Sequence, residues 1–182
     1  METLQYVFPW SEDRGDVVAV RAPEGTLTFL ELEERARRVA NGLACRGIGE
    51  GGSFGLLARN RLEWPELVLG NVRAHSCYVP LNWHLTASEV AELLVDSGAT
   101  LLIVGPEDEQ VGREAAAIAG VTDIITLGPE YEEWLSAQSD APLPDGPVGR
   151  PLLYTGGTTG RSKGVMRSDM QIDVSAYASG AS

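Results

Sequence analysis

Residues Val79 to Val104, VPLNWHLTASEVAELLVDSGATLLIV, contain a strand, a capped helix and a second strand in direct succession. Thr86 and Glu89 have the spacing of a capping box, in which the two side chains bind backbone amides at the start of a helix. Apolar residues then recur at three- and four-residue steps as far as Gly98, which is placed to end the helix. The apolar run Thr100 to Val104 follows at once and is predicted as a strand.

The same alternation of strands and helices continues on both sides of this unit. Strands separated by helices of this length indicate right-handed crossovers and a parallel sheet covered by helices. We therefore predict an α/β chain with a largely parallel sheet and covering helices. The other predicted elements are a hairpin of Val17–Arg21 and Thr26–Phe29, a helix from the capping box of Thr28 and Glu31 to Gly47, strands at Ser53–Ala58, Tyr78–Leu81 and Val121–Leu127, and helices at Leu62–Ala74, Glu107–Ala119 and Glu130–Ser136.

Charge and composition exclude several classes of function. The formal net charge of -12 would repel a nucleic-acid backbone, and the longest basic cluster is Arg37-Arg38. We therefore predict no nucleic-acid partner. A hydrophobic content of 43% is enough for a packed core, and an acidic balance of this kind is common among cytosolic enzymes.

Targeting, membrane and metal signals are weak throughout the sequence. The acidic N-terminus lacks a secretory pattern, and apolar runs such as Leu101–Val104 are far shorter than the roughly 18 residues of a membrane span. We therefore predict a cytoplasmic protein with no transmembrane segment. Cys45 and Cys77 are isolated and are predicted to be buried, reduced thiols. His75 and His84 lack ligand partners at metal spacing, so we predict no metal site made by these residues and a structural or surface role for both.

The most distinctive motif is YTGGTTGRSKGV, Tyr154 to Val165, which follows a predicted strand at Leu152–Thr155. Glycines allow backbone amides to approach a phosphate without a β-carbon in the way. Threonine hydroxyls add donors, and a lysine adds a positive charge for a polyphosphate. The candidate phosphate ligands are Thr155, Gly156, Gly157, Thr158, Thr159, Gly160, Lys163 and Gly164.

Other interpretations of this motif were compared with phosphate binding. A turn rich in glycine and threonine would need no ligand at all, and composition alone does not exclude it. The GxxxxGK[ST] phosphate loop does not fit, because Lys163 is preceded by Ser162 and followed by Gly164. The GxGxxG dinucleotide pattern is also absent from an early strand-to-helix turn.

The segment TGGTTGRSKG resembles the phosphate-loop signature of the AMP-forming adenylating enzymes. These include acyl-CoA synthetases, peptide-synthetase adenylation domains and luciferases. Residues Val79 to Val104 and the N-terminal TLTFLELEERARRVANGL are similar to segments that these enzymes carry upstream of the loop. The resemblance extends from about Val17 to Val165, and VPLNWHLTASEV most resembles the fatty-acyl-CoA synthetase branch.

This resemblance implies a two-step reaction. A carboxylate attacks the α-phosphorus of ATP to give an acyl-adenylate and pyrophosphate, and the thiol of coenzyme A then displaces AMP. Residues Thr155 to Gly164 would hold the β- and γ-phosphates together with Mg²⁺. The implied partners are therefore a small carboxylic acid, ATP and coenzyme A.

The motif departs from the family pattern at three positions. Gly156 lies where relatives often have serine or threonine, and Ser162 lies where they usually have proline. Asp169 replaces a histidine that many relatives carry shortly after the loop. An acid at this position would repel a carboxylate substrate.

The resemblance also implies a domain organisation in which residues 1–182 form part of an N-terminal AMP-binding domain. We expect an α/β subdomain at 17–128, a loop or linker at 129–151 and the phosphate loop at 152–168. The later family motifs and the small C-terminal domain are absent, so no complete catalytic set is expected. Two alternatives are a stand-alone nucleotide-binding or interaction module derived from the family, and a parent enzyme that adenylates an aryl or amino acid.

Overall fold

The computed structural model describes residues 14–155 and 163–165. The described part contains an N-terminal hairpin, a five-stranded sheet with helices on both faces, and a second small hairpin. The strands are β1 (Val18–Ala22), β2 (Gly25–Thr28), β3 (Ser53–Leu57), β4 (Cys77–Leu81), β5 (Leu101–Val104), β6 (Asp123–Thr126), β7 (Arg150–Pro151), β8 (Leu153–Thr155) and β9 (Lys163–Val165). The helices are α1 (Phe29–Cys45), α2 (Trp64–Ala74), α3 (Ala87–Ser97), α4 (Glu109–Ala119) and α5 (Pro129–Ser136), with a 3₁₀ turn at Pro106–Asp108.

The five-stranded sheet has the order β6-β5-β3-β4-β7, and every neighbouring pair is parallel. The predicted α/β class with a largely parallel, helix-covered sheet is confirmed. β3 lies at the centre, where Gly55 pairs with Val79 on one side and Leu102 on the other. A β-carbon at Gly55 would lie 2.6 Å from the Leu94 side chain, so glycine allows α3 to pack closely on the sheet.

Alternate residues of the central strands pack into two different cores. Phe54 and Leu56 contact the cluster formed with α1, α2 and α5, whereas Leu57 belongs to the cluster formed with α3 and α4. In β5, Ile103 faces the first cluster and Leu102 the second. This period of two places one helical layer on each face of the sheet.

Both predicted capping boxes are present. Thr28 starts α1 and Thr86 starts α3, and in each case the side chain accepts from the amide three residues later while the glutamate binds back. α3 ends at Gly98, whose φ of 64° is in the left-handed region. Pro65 lies in the first turn of α2, where an amide donor is not needed.

A partly buried polar cluster joins the three helices of the first face. Arg35 of α1 binds Glu66 of α2, with 2.9 Å between Nη2 and Oε1, and also binds Glu132 of α5. The Tyr131 hydroxyl donates to the same Glu66 oxygen at 2.6 Å. Burial raises the pKa of Glu66, and the two donors oppose that rise. These contacts fix the positions of α1, α2 and α5 relative to one another.

The region predicted as loop or linker contains more regular structure than its proline content suggested. It begins with α5, in agreement with the helix predicted at 130–136, and it ends with β7 at the edge of the sheet. The amides of Arg150 and Leu152 donate to the carbonyls of Ser76 and Tyr78. Pro151 lies between these two donors, where the parallel ladder needs no amide, so an edge strand tolerates it.

The prediction of two buried thiols is wrong for Cys45. This residue is exposed in the last turn of α1, whereas the neighbouring Leu43 is fully buried. Cys77 is half-buried in β4, and burial raises the pKa of its thiol. His75 has the structural role predicted for it, since its ring nitrogens lie 2.8 and 3.0 Å from the carbonyls of Pro147 and Pro144.

The described residues contain neither a membrane-spanning helix nor a cluster of metal-ligating side chains. Among residues 14–155 and 163–165, no helix has the length and hydropathy needed to cross a membrane. In the same residues, no three His, Cys, Asp or Glu side chains lie together as a metal-binding group.

Candidate functional site

The candidate phosphate motif begins and ends on the small hairpin of β8 and β9. The two strands are antiparallel, with Leu153 opposite Val165, Tyr154 opposite Gly164 and Thr155 opposite Lys163. The structure therefore places the first and last polar residues of the motif on neighbouring strands. Gly156, Gly157, Thr158, Thr159 and Gly160 lie outside the described residues, as do Ser162 and Asp169.

The chemistry of the two described ends suits a phosphate. Directly opposed residues of an antiparallel pair have β-carbons about 5 Å apart. A hydroxyl donor at Thr155 and an ammonium group at Lys163 are thus carried on one short ladder. Hydroxyl and ammonium groups in general can donate to phosphate oxygens, and hydrogen bonds from a charged donor are shorter and stronger. Lys163 is also the single lysine in the sequence.

Sequence reasoning missed a contact that joins this hairpin to the sheet. The Tyr154 hydroxyl donates to Asp96 Oδ2 of α3 at 2.7 Å. Partial burial and the Asp96 carboxylate both raise the pKa of Tyr154, so its hydroxyl stays protonated. Tyr154 stood in the quoted motif, but no local signal connects it to a helix more than fifty residues earlier.

A groove of about 540 Å³ lies beside this contact. It is bounded by α3, the end of α4 and Tyr154, and Glu89, Glu92 and Asp96 contribute acidic groups to its wall. Val95 and Ile118 are its exposed apolar residues, at 64% and 62% of full exposure. The hairpin that carries Thr155 and Lys163 therefore contributes Tyr154 to the wall of an open, partly apolar groove.

A second group of missed residues lies at the carboxyl ends of the central strands. The chain leaves β3 towards α2 on one face and leaves β5 towards α4 on the other, and open α/β sheets bind ligands at such a reversal. Here the Arg59 guanidinium lies 4.5 Å from the Trp83 ring centroid, and its Nη2 lies 3.5 Å from Asp108 Oδ1. The available sequence signal was their position directly after predicted strands.

The chain is similar in sequence to a known family and to several characterised proteins. Residues 8–180 match the sequence profile of the family described as AMP-binding enzyme. Similar curated proteins include a fatty acid–[acyl-carrier-protein] ligase of Streptomyces coeruleorubidus, 34% identical over 154 residues, and a feruloyl-CoA synthase of an Amycolatopsis species, 38% identical over 152 residues. Each match covers 81% of this chain and 29% of the relative.

A solved structure shows the same similarity. The inhibitor-bound N-terminal domain of FACL13 from Mycobacterium tuberculosis matches with a TM-score of 0.78 and 28% sequence identity. The match covers 91% of this chain and 44% of that domain. The chain thus spans less than a third of the length of these curated relatives and less than half of the length of this solved domain.

Proposed function

The chain belongs to the AMP-binding enzyme family, and from that membership we propose that it is the phosphate-binding part of an AMP-forming acid–thiol ligase. The protein that contains it would join a carboxylic acid to coenzyme A through an acyl-adenylate. ATP would supply the adenylyl group, with pyrophosphate as the leaving group. Named ligases among the similar proteins support this class of reaction.

Residues 155–164 would hold the β- and γ-phosphates during the first step. Attack of the carboxylate on the α-phosphorus builds negative charge on the departing pyrophosphate. Hydroxyl, amide and ammonium donors in fixed positions stabilise that charge without forming a covalent bond. Lys163 contributes the full positive charge, and Thr155 contributes a neutral donor from the opposite strand. Bound Mg²⁺ would neutralise further phosphate charge.

The structural observation that supports the phosphate site is the pairing of Thr155 with Lys163 on the β8-β9 ladder. A glycine-rich turn that bound nothing would not need a hydroxyl and a single lysine at its two ends. The tight approach of β9 to its neighbours is further support, because a β-carbon at Gly164 would lie 3.2 Å from Leu152 and 3.3 Å from Tyr154.

For the acid substrate we propose a fatty acid as the first candidate. The segment VPLNWHLTASEV resembles the fatty-acyl branch, and one similar protein is a fatty acid ligase. An aryl acid is the second candidate, because the feruloyl-CoA synthase is 38% identical over 152 residues. We propose further that the 182 residues alone bind ATP weakly at most and do not turn over.

Protection of Lys163 from an amine-reactive reagent tests the phosphate site. Because this chain has one lysine, label on its side chains reports that position alone. In the protein that contains the chain, ATP with Mg²⁺ should slow labelling of the Lys163 peptide by about tenfold. The reagent reacts with the deprotonated amine, whereas a lysine bound to phosphate stays protonated and is covered by the ligand.

The control ligand is adenosine, which lacks phosphates and should give no protection of the Lys163 peptide. Equal labelling rates with ATP and with adenosine would contradict the assignment of Lys163 to the phosphates. Lys163→Arg, which keeps the charge but removes the amine, should abolish labelling at this peptide and retain part of the ATP affinity.

A further inference from the structure

Tyr154 connects three separate parts of the structure. Its backbone belongs to β8, one residue before Thr155, the first candidate phosphate ligand of the glycine–threonine motif. Its hydroxyl donates to Asp96 Oδ2 of α3 at 2.7 Å, and its ring packs against the apolar cluster of the α3 and α4 face. One side chain therefore ties the strand that leads into the motif to a helix of the main sheet.

The acceptor of this hydrogen bond lies in an unfavourable place for an anion. Asp96 is in the last turn of α3, which contains no basic residue. The carbonyl groups that end a helix repel a carboxylate. Donation from Tyr154 offsets that repulsion, so Asp96 and Tyr154 stabilise each other across the two elements.

The ring of Tyr154 also packs across the partner strand. Gly164 is paired directly with Tyr154, and a β-carbon at Gly164 would lie 3.3 Å from the ring carbons Cε1 and Cζ. The next pair along the ladder is Thr155 and Lys163. Tyr154 thus contacts both strands at the pair next to Thr155 and Lys163, since Tyr154 precedes Thr155 and Gly164 follows Lys163.

In the part of the chain that the structure describes, the hairpin is short and is joined to the sheet by Leu152 as well as by Tyr154. Each of its strands has three residues, and isolated two-stranded ribbons are marginally stable. Leu152 provides one backbone link, with its amide donating to the Tyr78 carbonyl at 2.9 Å, and Leu153 is 46% exposed. The hydrogen bond between Tyr154 and Asp96 is therefore a side-chain link between this short hairpin and α3.

We propose that Tyr154 is a positioning residue for ATP binding, which acts by fastening the β8-β9 hairpin to Asp96 of α3. The proposal rests on the proposed function in taking the glycine–threonine motif as the ATP phosphate site. Tyr154 does not contact the nucleotide in this account. It holds Thr155 and Lys163 in the positions from which they donate to the phosphates. The conformational entropy of these two residues is therefore already lost before ATP binds, and binding does not have to compensate for it.

Three variants in the protein that contains this chain test the proposal. Tyr154→Phe removes the donor, Asp96→Ala removes the acceptor, and Asp96→Asn keeps an acceptor oxygen for the hydroxyl. We expect Tyr154→Phe and Asp96→Ala each to raise the Kd and KM for ATP about fivefold, the factor that corresponds to one hydrogen bond. Asp96→Asn should restore most of the affinity, and the double variant should be no worse than either single one.

Tyr131→Phe is the matched control, because it removes a hydroxyl–carboxylate hydrogen bond of similar length between Tyr131 and Glu66 on the opposite face of the sheet. It should lower the melting temperature without changing the Kd for ATP. Amide hydrogen exchange at residues 153–155 and 163–165, measured without ligand, should speed up in Tyr154→Phe and Asp96→Ala and stay unchanged in Tyr131→Phe.

Unchanged exchange at the hairpin in Tyr154→Phe, or faster exchange with an unaltered Kd for ATP, would overturn the proposal. Failure of the proposed ligase reaction would be seen separately, as a lack of acid-dependent turnover by the wild type. The hydrogen-exchange and ATP-titration results do not require turnover, so they test the role of Tyr154 in either case.

Discussion

Gly149 has no room for a side chain, because it lies directly against the backbone of two other residues. A β-carbon at this position would lie 2.8 Å from the Ser76 carbonyl oxygen and 2.7 Å from the carbonyl carbon of Asn71. The Gly149 amide also donates to the Val72 carbonyl. Close backbone contact of this kind holds the start of β7 against the end of α2.

Gly149→Ala should therefore lower the free energy of unfolding by about 3 kcal/mol, because backbone atoms must shift to admit the methyl group. Denaturant unfolding measures the change. Gly49→Ala is the matched control, since the nearest atom to its β-carbon would lie 3.8 Å away and its φ is not positive. Similar losses from both substitutions would contradict the close approach described at Gly149.

Residue-level prediction from sequence succeeded where one residue carries its own chemistry. The polar ends of the glycine–threonine motif were identified from their composition, and the assignment of its residues to phosphate binding stays a prediction. Tyr154 and Asp96 were not identified as a pair, because 58 positions separate them and only the tertiary fold brings them together. A hydrogen bond between residues that are far apart along the chain produces no recognisable local sequence pattern.

The capping boxes make the folding stability of the protein depend on pH. In α3 the backbone amide and hydroxyl of Thr86 donate to Glu89 Oε2 at 2.8 and 2.7 Å. These bonds hold the pKa of Glu89 below its usual range, with the backbone bond the larger cause. Because the folded pKa is lowered, the stabilisation is present above the unfolded pKa of about 4.3 and is lost as pH falls through the folded value.

Glu89→Gln should therefore lower the melting temperature at pH 7, and the difference from wild type should shrink as the pH falls below about 4.3. Thermal unfolding followed by circular dichroism across this pH range measures the effect. Glu92→Gln makes the same charge change at an exposed site of the same helix outside the cap, and it should leave the melting temperature unchanged. A pH-independent difference for Glu89→Gln would show that its carboxylate does not stabilise the cap.

Elements with strong local signals were predicted closely. α3 has a capping box at one end and a glycine at the other, and both of its boundaries follow from them. β7 was missed because a two-residue strand with a proline has no periodic pattern, and its partner Cys77–Tyr78 lies some seventy residues earlier. Pairing at a sheet edge is decided by tertiary contact and not by local propensity.

At the scale of the whole molecule, the alternation of strands and helices was sufficient to predict the parallel α/β sheet. It did not predict the order β6-β5-β3-β4-β7, because the central strands β3, β4 and β5 have similar apolar compositions that do not distinguish their positions. The reversal between β3 and β5, which brings Arg59, Trp83 and Asp108 to one edge, depends on that order. The charged and aromatic cluster there could not be predicted for the same reason.

The central claim is that the chain is part of an enzyme that activates a carboxylic acid with ATP. Exchange of labelled pyrophosphate into ATP, measured with the protein that contains this chain and a panel of fatty and aryl acids, tests it most directly. We expect exchange that requires an acid and that falls at least tenfold in Lys163→Ala, since the proposed role of the lysine is to stabilise the departing pyrophosphate. A lack of exchange with every acid, or exchange unaffected by Lys163→Ala, would contradict it.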